Sequence, residues 1–202
     1  MLYYANPVRV ARDHMSAGRI GCIITPGQGN TIPPGAPWCA DNGRFGKGWP
    51  GPLRYEAWLA SYRPYAQTCA FAVAPDVPFD MAATLRLSRP WLYRIRRMGY
   101  PAALALQDDC SLPWDDFDVL FIAGSMEFKW GVIAADYTRQ ARERGKHVHW
   151  GRCNSLTRIR QAHGMGCDSA DGGFLRYGPD KNLPRLLGWL DELDRNGAQT
   201  FI

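Results

Sequence analysis

Near its end the chain reads Gly166-Cys167-Asp168-Ser169-Ala170-Asp171-Gly172-Gly173. Small and apolar residues lead into a carboxylate, and two glycines follow it. This pattern predicts a short buried strand that presents Asp171 at its end, as a nucleophile or a ligand-binding acid. The alternative is an aspartate that caps a turn, as Asp-Gly pairs often do. The patterns in the rest of the chain help to decide between the two interpretations.

Strand-like segments recur upstream and alternate with helical patterns. The predicted strands are 2–6, 20–25, 38–41, 68–76, 101–108, 118–124, 147–151 and 165–171, and the predicted helices are 8–17, 53–62, 80–98, 128–144, 155–163 and 182–195. Pro90 should kink or split the helix at 80–98. Eight apolar strands alternating with helices predict a compact (β/α)8 TIM-like barrel, with an open doubly wound sheet as the alternative. The missing Gly-x-Gly-x-x-Gly motif after the first strand disfavours a dinucleotide-binding version of the open sheet.

Length and composition are those of an ordinary globular protein. The 202 residues predict a single domain spanning 1–202, with 46% hydrophobic and 21% charged residues. The net charge of +5 favours a polyanionic partner such as nucleic acid. The basic residues are dispersed, so folding would have to assemble any basic surface.

The cysteines and the amino-terminal residues indicate the cellular compartment in which the protein is expected. The cysteines stand at 22, 39, 69, 110, 153 and 167, without a Cys-x-x-Cys pair. They are expected to be reduced core residues of an intracellular protein, and no spacing supports a zinc site, so we expect no metal. Met1–Pro7 lacks the features of a signal peptide, and no apolar run reaches 18 residues. We therefore expect a cytoplasmic protein that does not contact a membrane.

Several chemically useful residues follow predicted strands. They are Asp41, Asp76, Gln107 with Asp108, Gly124 with Ser125, Gly151 with Arg152, and Asp171. In a barrel these strand ends converge on one active site. Two separated carboxylates can divide nucleophilic attack and proton transfer, while a further Asp and a Gln read the polar edge of a heterocycle. This set suits chemistry at a glycosidic carbon.

Histidines and aromatic residues leave alternatives open. His147 and His149 share a strand face, which favours a packed or solvated pair, with a metal site as the alternative. Phe45, Trp49 and Phe128 lie just beyond strand ends, where one ring could stack on a base, although packing in the core is favoured.

Five segments, at 41–45, 72–76, 106–107, 121–124 and 166–171, together resemble motifs of the tRNA-guanine transglycosylases. Asp41-Asn42-Gly43-Arg44-Phe45 resembles the family's Asp-Ser-Gly-Gly-Phe, and Ala72–Asp76 falls where the family has its base-recognising Asp. Leu106-Gln107 resembles Val-Gln, Phe121–Gly124 resembles Ile-Gly-Gly, and Gly166–Asp171 resembles Gly-Ile-Asp-Met-Phe-Asp, which carries the nucleophile. The order is the same over roughly positions 38 to 172. The chain looks closest to the short phage DNA-guanine transglycosylases of 7-deazaguanine DNA modification.

The resemblance implies a base exchange without a cofactor. Asp171 would attack the anomeric carbon and expel guanine, and Asp41 would be the general acid/base. The guanine or its replacement, such as 7-cyano-7-deazaguanine (preQ0), would be held by Asp76, Gln107, the backbone at Gly124, and the pocket residues Asn42 and Phe45. Apart from the resemblance, the basic residues Arg44 and Lys47 in the loop beside the proposed site, together with Arg152, are expected to contact DNA. A phage-encoded enzyme would act in the host cytoplasm.

The chain departs from the tRNA enzymes after the nucleophile. It has no cysteine beyond Asp171 and therefore lacks their Cys-x-Cys-x-x-Cys zinc motif, and the tRNA-contacting extension is missing. The family's second glycine is Ser125 or Ala123 here. Glycosyl transfer on free nucleosides or tRNA is one alternative to the DNA reaction. A catalytically silent barrel that binds nucleic acid is the other.

Overall fold

Eight parallel strands form a closed barrel in chain order, and the last strand pairs with the first. The structure, a computed structural model, describes residues 1–46, 48–108 and 112–199. The strands are β1 (Leu2–Ala5), β2 (Gly21–Ile24), β3 (Trp38–Ala40), β4 (Cys69–Val73), β5 (Ala102–Leu106), β6 (Val119–Ile122), β7 (His147–Trp150) and β8 (Ser169–Asp171). The predicted (β/α)8 barrel is confirmed, and the open sheet is excluded.

Helices surround the barrel and connect its strands. They are α1 (Arg12–Ser16), α2 (Pro52–Ser61), α3 (Met81–Arg97), α4 (Met126–Trp130), α5 (Val132–Glu143), α6 (Leu156–Gly164) and α7 (Pro179–Gln199). Short 3-10 helices lie at Arg9–Ala11, Arg63–Thr68, Trp114–Asp116 and Phe174–Arg176. Three helices begin at a side-chain cap, since Asp80, Ser125 and Ser155 accept hydrogen bonds from the backbone N–H three residues later.

The structure changes three of the predictions beyond small shifts at the ends of elements. The last strand begins at Ser169 instead of 165, because Met165 ends α6 and Gly166 turns the chain with a φ of 83°. The predicted helix at 128–144 is two helices that meet at Gly131, whose backbone is extended. The predicted helix at 80–98 is not split, since α3 continues through Pro90.

Alternate strand residues face two different cores. Outward side chains, such as Val148 and Trp150 of β7, pack against the helices in a large apolar cluster. A smaller apolar cluster fills the barrel interior; it comprises Tyr4, Ile23, Cys39, Phe71, Val73, Ala103, Ala105 and Val119. The inward positions of β5 are alanines, and Ala105 borders a cavity at the carboxyl ends of the strands. Small residues there leave space that larger side chains would fill.

The five cysteines among the described residues, Cys22, Cys39, Cys69, Cys153 and Cys167, are buried and unpaired. Cys110 lies outside the described residues. Burial raises the pKa of each of these five thiols, so they remain protonated near neutral pH. Among the described residues, no helix has the length and apolarity needed to cross a bilayer.

Candidate active site

A cavity of about 470 Å³ opens at the carboxyl ends of the barrel strands. Its lining includes seven of the residues predicted from strand ends and from the resemblance: Asp41, Asn42, Phe45, Asp76, Gln107, Arg152 and Asp171. This is the face at which barrel enzymes bind their substrates. The closed barrel therefore gathers residues from five different strand ends around one space.

Asp171 is the last residue of β8, and its side chain is 16% exposed. One carboxylate oxygen, Oδ1, lies 2.9 Å from Nε2 of His149 on the neighbouring strand β7. Gly151 follows β7, and a Cβ there would lie 2.6 Å from the ring of Phe121 and 3.4 Å from Oδ1 of Asp171. The carboxylate is thus held on one side by an imidazole and reaches the cavity on the other.

The two glycines after Asp171 differ in their surroundings. A Cβ at Gly172 would lie 2.4 Å from the Tyr3 hydroxyl and 2.4 Å from the Asn154 side-chain oxygen, whereas Gly173 has open space. The Tyr3 hydroxyl donates to the carbonyl of Cys153 at 2.8 Å. Gly172 is therefore required for the close packing of β8 against the loop after β7.

Asp41 follows β3 and is half-buried beside the other acids of the cavity. Burial raises the pKa of Asp41 to about 7, and the nearby charges of Asp171 and Asp76 add to the rise. The backbone N–H of Gly43 lies 3.4 Å from Oδ1 of Asp41 and favours the ionised form only weakly. A carboxyl group with a pKa near 7 both donates and accepts protons efficiently at neutral pH.

Asp41→Asn is expected to stabilise the fold more at pH 8 than at pH 4. The pKa of Asp41 rises from its ordinary 3.8 to about 7 on folding, so its stability contribution is full below pH 4 and is lost as pH rises through 7. Each pKa unit corresponds to about 1.4 kcal/mol. Thermal unfolding followed by circular dichroism at pH 4, 6 and 8 measures the difference between the variant and the wild type.

The exposed carboxylate of Asp136 on α5 provides the matched control. The stability of Asp136→Asn relative to the wild type should not increase between pH 4 and pH 8. A difference between Asp41→Asn and the wild type that is constant from pH 4 to pH 8 would contradict the raised pKa.

Asp76 lies at the centre of a buried hydrogen-bond network. Asn42 Nδ2 donates to Asp76 Oδ1 at 2.9 Å, and Gln107 Nε2 donates to Asp76 Oδ2 at 2.7 Å. The exposed fractions of the three residues are 7% for Asp76, 2% for Asn42 and 2% for Gln107. Burial raises the pKa of Asp76, and the two amide hydrogen bonds oppose that rise. The network fixes a carboxylate and two amides at the cavity wall, which suits recognition of a heterocycle with donors and acceptors.

Two phenylalanines form an aromatic edge at the cavity mouth. Phe45 and Phe79 are 58% and 53% exposed, and their rings meet edge to face at a centroid distance of 6.1 Å. The guanidinium of Arg152 lies 4.0 Å from the Phe45 ring centroid. Phe79 and Arg152 both have a positive φ, at 68° and 65°, which is strained for side-chain-bearing residues. Contrary to the favoured interpretation, Phe45 is not packed in the core, and stacking on a base stays a prediction for it.

Gly124 and Arg44 lie outside the lining of the cavity. The N–H of Gly124 donates to Leu106 in the sheet, and its carbonyl accepts from Arg152, so its backbone groups are already engaged. Arg44 lies over the Trp49 ring at 5.2 Å, beside the cavity but outside its lining. Lys47 lies outside the described residues.

Four residues of the site were missed by sequence reasoning. Lys129 of α4 is fully buried and donates to the Gly151 carbonyl at 2.6 Å, and burial lowers its pKa to about 7. Phe79 and Arg176 line the cavity, and His149 holds Asp171. The alternation of His147 and His149 was the available signal for an inward pair. The contact between His149 and Asp171 could be found only from the strand register, which pairs His149 with Ser169.

Among the described residues, no group of three or more His, Cys, Asp or Glu side chains is arranged to hold a metal ion. His149 is packed inside the barrel and His147 is half-buried, which agrees with the favoured interpretation of a packed or solvated pair. Phe71 and Phe121 contact His149 at ring distances of 4.8 and 4.6 Å.

Metal removal is expected to change neither stability nor activity. The sequence lacks the cysteine motif that forms the zinc site of the tRNA enzymes, and a structural zinc would contribute strongly to folding. Mass spectrometry of the purified protein for metals, and the melting temperature with and without EDTA, measure this. Stoichiometric zinc whose removal lowers the melting temperature would contradict it.

Comparison with known proteins adds no assignment of activity. A scan against models of protein families found no match, and a search of curated proteins also found none. The solved structures with a similar fold include one titled "Native KDPGal structure", which is 11% identical and has a TM-score of 0.48. The alignment covers 98% of this chain and 96% of that one. A similarity this low does not bear on the chemistry of the cavity.

Proposed function

We propose that the protein is an enzyme, a guanine transglycosylase that replaces guanine in DNA by a 7-deazaguanine base such as preQ0. The observation that carries the proposal is that Asp171 and Asp41 share one cavity with the Asp76, Asn42 and Gln107 network. One acid is available to attack carbon, the second has a pKa suited to moving a proton, and the network can read the edge of a purine.

The reaction would proceed by two displacements. Asp171 attacks the anomeric carbon of the target nucleotide, the bond to guanine breaks, and protonated Asp41 gives its proton to the departing purine. The product is a sugar–carboxylate ester and a free base. The incoming base then loses a proton to Asp41 and attacks the anomeric carbon, and Asp171 leaves as a carboxylate. Two inversions retain the configuration of the sugar.

The cavity mouth supports a polyanionic substrate. Arg44, Arg152 and Arg176 lie at or beside it, together with the aromatic edge of Phe45 and Phe79. A guanine in a duplex must leave the base stack before Asp171 can reach its sugar, and unstacking costs a few kcal/mol. The exposed rings offer a stacking surface for the extruded base.

The deciding experiment offers DNA, tRNA and free deoxyguanosine side by side, each with labelled preQ0 or guanine. We expect incorporation into DNA, identified by mass spectrometry of the released nucleosides. Incorporation into tRNA alone would overturn the DNA assignment, and incorporation into free deoxyguanosine alone would indicate a nucleoside enzyme. DNA binding without exchange of any base would indicate a silent barrel.

DNA binding is expected to weaken steeply with salt and with the loss of basic residues at the mouth. Each phosphate neutralised contributes a slope of about −0.9 to log affinity against log salt on duplex DNA. Arg44→Ala with Arg176→Ala should reduce that slope by about 1 to 2 and lower the affinity for free preQ0 far less than the affinity for DNA, because neither arginine belongs to the Asp76 network. Fluorescence anisotropy with labelled DNA at 50–300 mM salt measures the slope.

The double variant Arg86→Ala and Arg97→Ala, on the outer helix α3, is the matched control for charge. An unchanged slope in the Arg44 and Arg176 variant would place the DNA elsewhere on the protein.

A further inference from the structure

A line of hydrogen bonds runs through the barrel interior from β7 and β8 to Asp171. Nε2 of His147 lies 2.6 Å from the Ser169 hydroxyl, which lies 2.8 Å from Nδ1 of His149. Nε2 of His149 lies 2.9 Å from Oδ1 of Asp171. The four residues alternate along two adjacent parallel strands, and the register pairs His149 with Ser169. All four side chains therefore point inward and form one continuous series.

The surroundings of the line are aromatic. His149 is fully buried, and the rings of Tyr4, Phe71 and Phe121 pack against it at 4.6 to 5.9 Å. An unpaired ring nitrogen in such a place costs the desolvation of a polar group. Both nitrogens of His149 are engaged, so the protons along the line must be ordered as a set.

The single proton of Ser169 couples the two histidines. If Asp171 is ionised, Nε2–H of His149 donates to it and Nδ1 of His149 accepts from the Ser169 hydroxyl. The Ser169 oxygen is then free to accept from Nε2–H of His147. This arrangement leaves Nδ1 of His147 as the acceptor at the far end of the line.

That far end lies at an opening on the opposite side of the barrel. A cavity of about 360 Å³ at the amino-terminal ends of β7 and β8 is lined by His147, Asp168, Lys146, Gly145 and Arg142. His147 is half-buried, whereas His149 is fully buried. The line thus connects a polar opening at one end of the barrel with the candidate active site at the other.

We propose that His147, Ser169 and His149 form a proton relay between this amino-terminal opening and Asp171. A proton from solvent binds Nδ1 of His147, and the Nε2 proton of His147 passes to Ser169. The Ser169 proton passes to Nδ1 of His149, and the Nε2 proton of His149 passes to Asp171. One proton enters and one arrives, both histidines remain neutral, and Asp171 becomes a carboxylic acid. The reverse sequence ionises Asp171 from the far side of the barrel.

Other titratable or charged groups face the relay from the packed elements. Around His149 and Asp171 they are Tyr3, Tyr4, Cys39, Asp41, Lys129, Arg152 and Cys153, and around His147 they are Arg142, Lys146 and Asp168. Burial and the neighbouring His149 lower the pKa of His147, which keeps it neutral near pH 7. Asp41 and Lys129, with pKa values of about 7, also titrate in this range. The test therefore reads the histidine tautomers directly.

The catalytic use of the relay rests on the function proposed above. A nucleophile must be ionised, and a substrate in the cavity covers the route from that side to solvent. The relay gives Asp171 a second route for its proton. The hydrogen bond from His149 also fixes one carboxylate oxygen of Asp171 while the other faces the sugar. His149 is in this sense a positioning residue.

The test is nitrogen-15 NMR of the full chain labelled at histidine, with His14→Gln and His163→Gln used for assignment. We expect neutral His149 and His147, each protonated at Nε2, at pH 7.5. Ser169→Ala should remove this fixed tautomer. It should also lower the rate of base exchange about tenfold, because about one hydrogen bond is lost. Ser169→Thr, which keeps a hydroxyl, should restore both, and Ser61→Ala at the end of α2 should change neither.

The outcomes separate the relay from the proposed function. A wild-type His149 without a proton at Nε2, or histidine signals unaltered by Ser169→Ala, would overturn the relay even if base exchange occurs. The expected tautomers in a protein that exchanges no base would support the relay and refute the transglycosylase. The wild-type measurement alone decides the tautomer if the Ser169→Ala variant does not fold.

Discussion

Asp171→Asn is expected to lower base exchange by about 10⁴-fold or more while the barrel remains folded. Loss of the attacking carboxylate removes the covalent route, which corresponds to about 5.5 kcal/mol or more of transition-state stabilisation. The asparagine keeps the size of the side chain and an oxygen that can accept the hydrogen bond from His149. The fold should therefore tolerate the change far better than the chemistry does.

Two assays measure this effect. Labelled preQ0 incorporation into DNA gives the rate, and a denaturing gel shows whether a covalent protein–DNA adduct survives. The wild type should form the adduct when the incoming base is withheld, and Asp171→Asn should not. Asp136→Asn, an exposed carboxylate on α5, controls for the change of charge. Exchange within tenfold of wild type, or a surviving adduct, would end the assignment of Asp171 as the nucleophile.

Asp41→Asn is expected to lower turnover by about 10²–10⁴-fold, the usual contribution of general acid/base catalysis. Burial and the neighbouring acids raise its pKa to about 7, so the wild-type group is present in both protonation states at neutral pH. Asparagine can neither give nor take that proton. Because Asp41 lies outside the Asp76 network, the affinity for the base should change only a few-fold.

Asp76→Asn is the matched comparison for Asp41→Asn. Its amide would place an NH2 group against the NH2 of Asn42 or Gln107, which breaks one of the two hydrogen bonds that hold the residue. We expect this variant to lose base affinity more than turnover, the reverse of Asp41→Asn. Calorimetric titration of preQ0 with single-turnover kinetics separates the two effects. Lost affinity with intact turnover in Asp41→Asn would reassign Asp41 to base recognition.

The barrel could be predicted from the sequence because the pattern that indicates each strand lies within a few neighbouring residues. A buried parallel strand is a short apolar run bounded by turn residues, and eight such runs alternating with helices have few ways to form a sheet. The acids at the ends of β3 and β8 could be found for the same reason, since residues at the carboxyl ends of parallel strands face one opening of the barrel. The boundaries at Gly131 and Gly166 could not be predicted, because a glycine within an apolar run is compatible both with a turn and with a continuing element.

The amino-acid sequence by itself determined the eight strands, their alternation with helices, and the acids Asp41, Asp76 and Asp171 at strand ends, and the tertiary structure decided that the sheet closes into a barrel. Only the tertiary structure decided the environment of those acids: the burial that raises the pKa of Asp41, and the register that places His149 against Asp171. The physical reason is the separation along the chain between the residues that each effect depends on. Strand periodicity is written in neighbouring residues, whereas desolvation and hydrogen bonding depend on groups brought together from distant parts of the chain when the barrel closes.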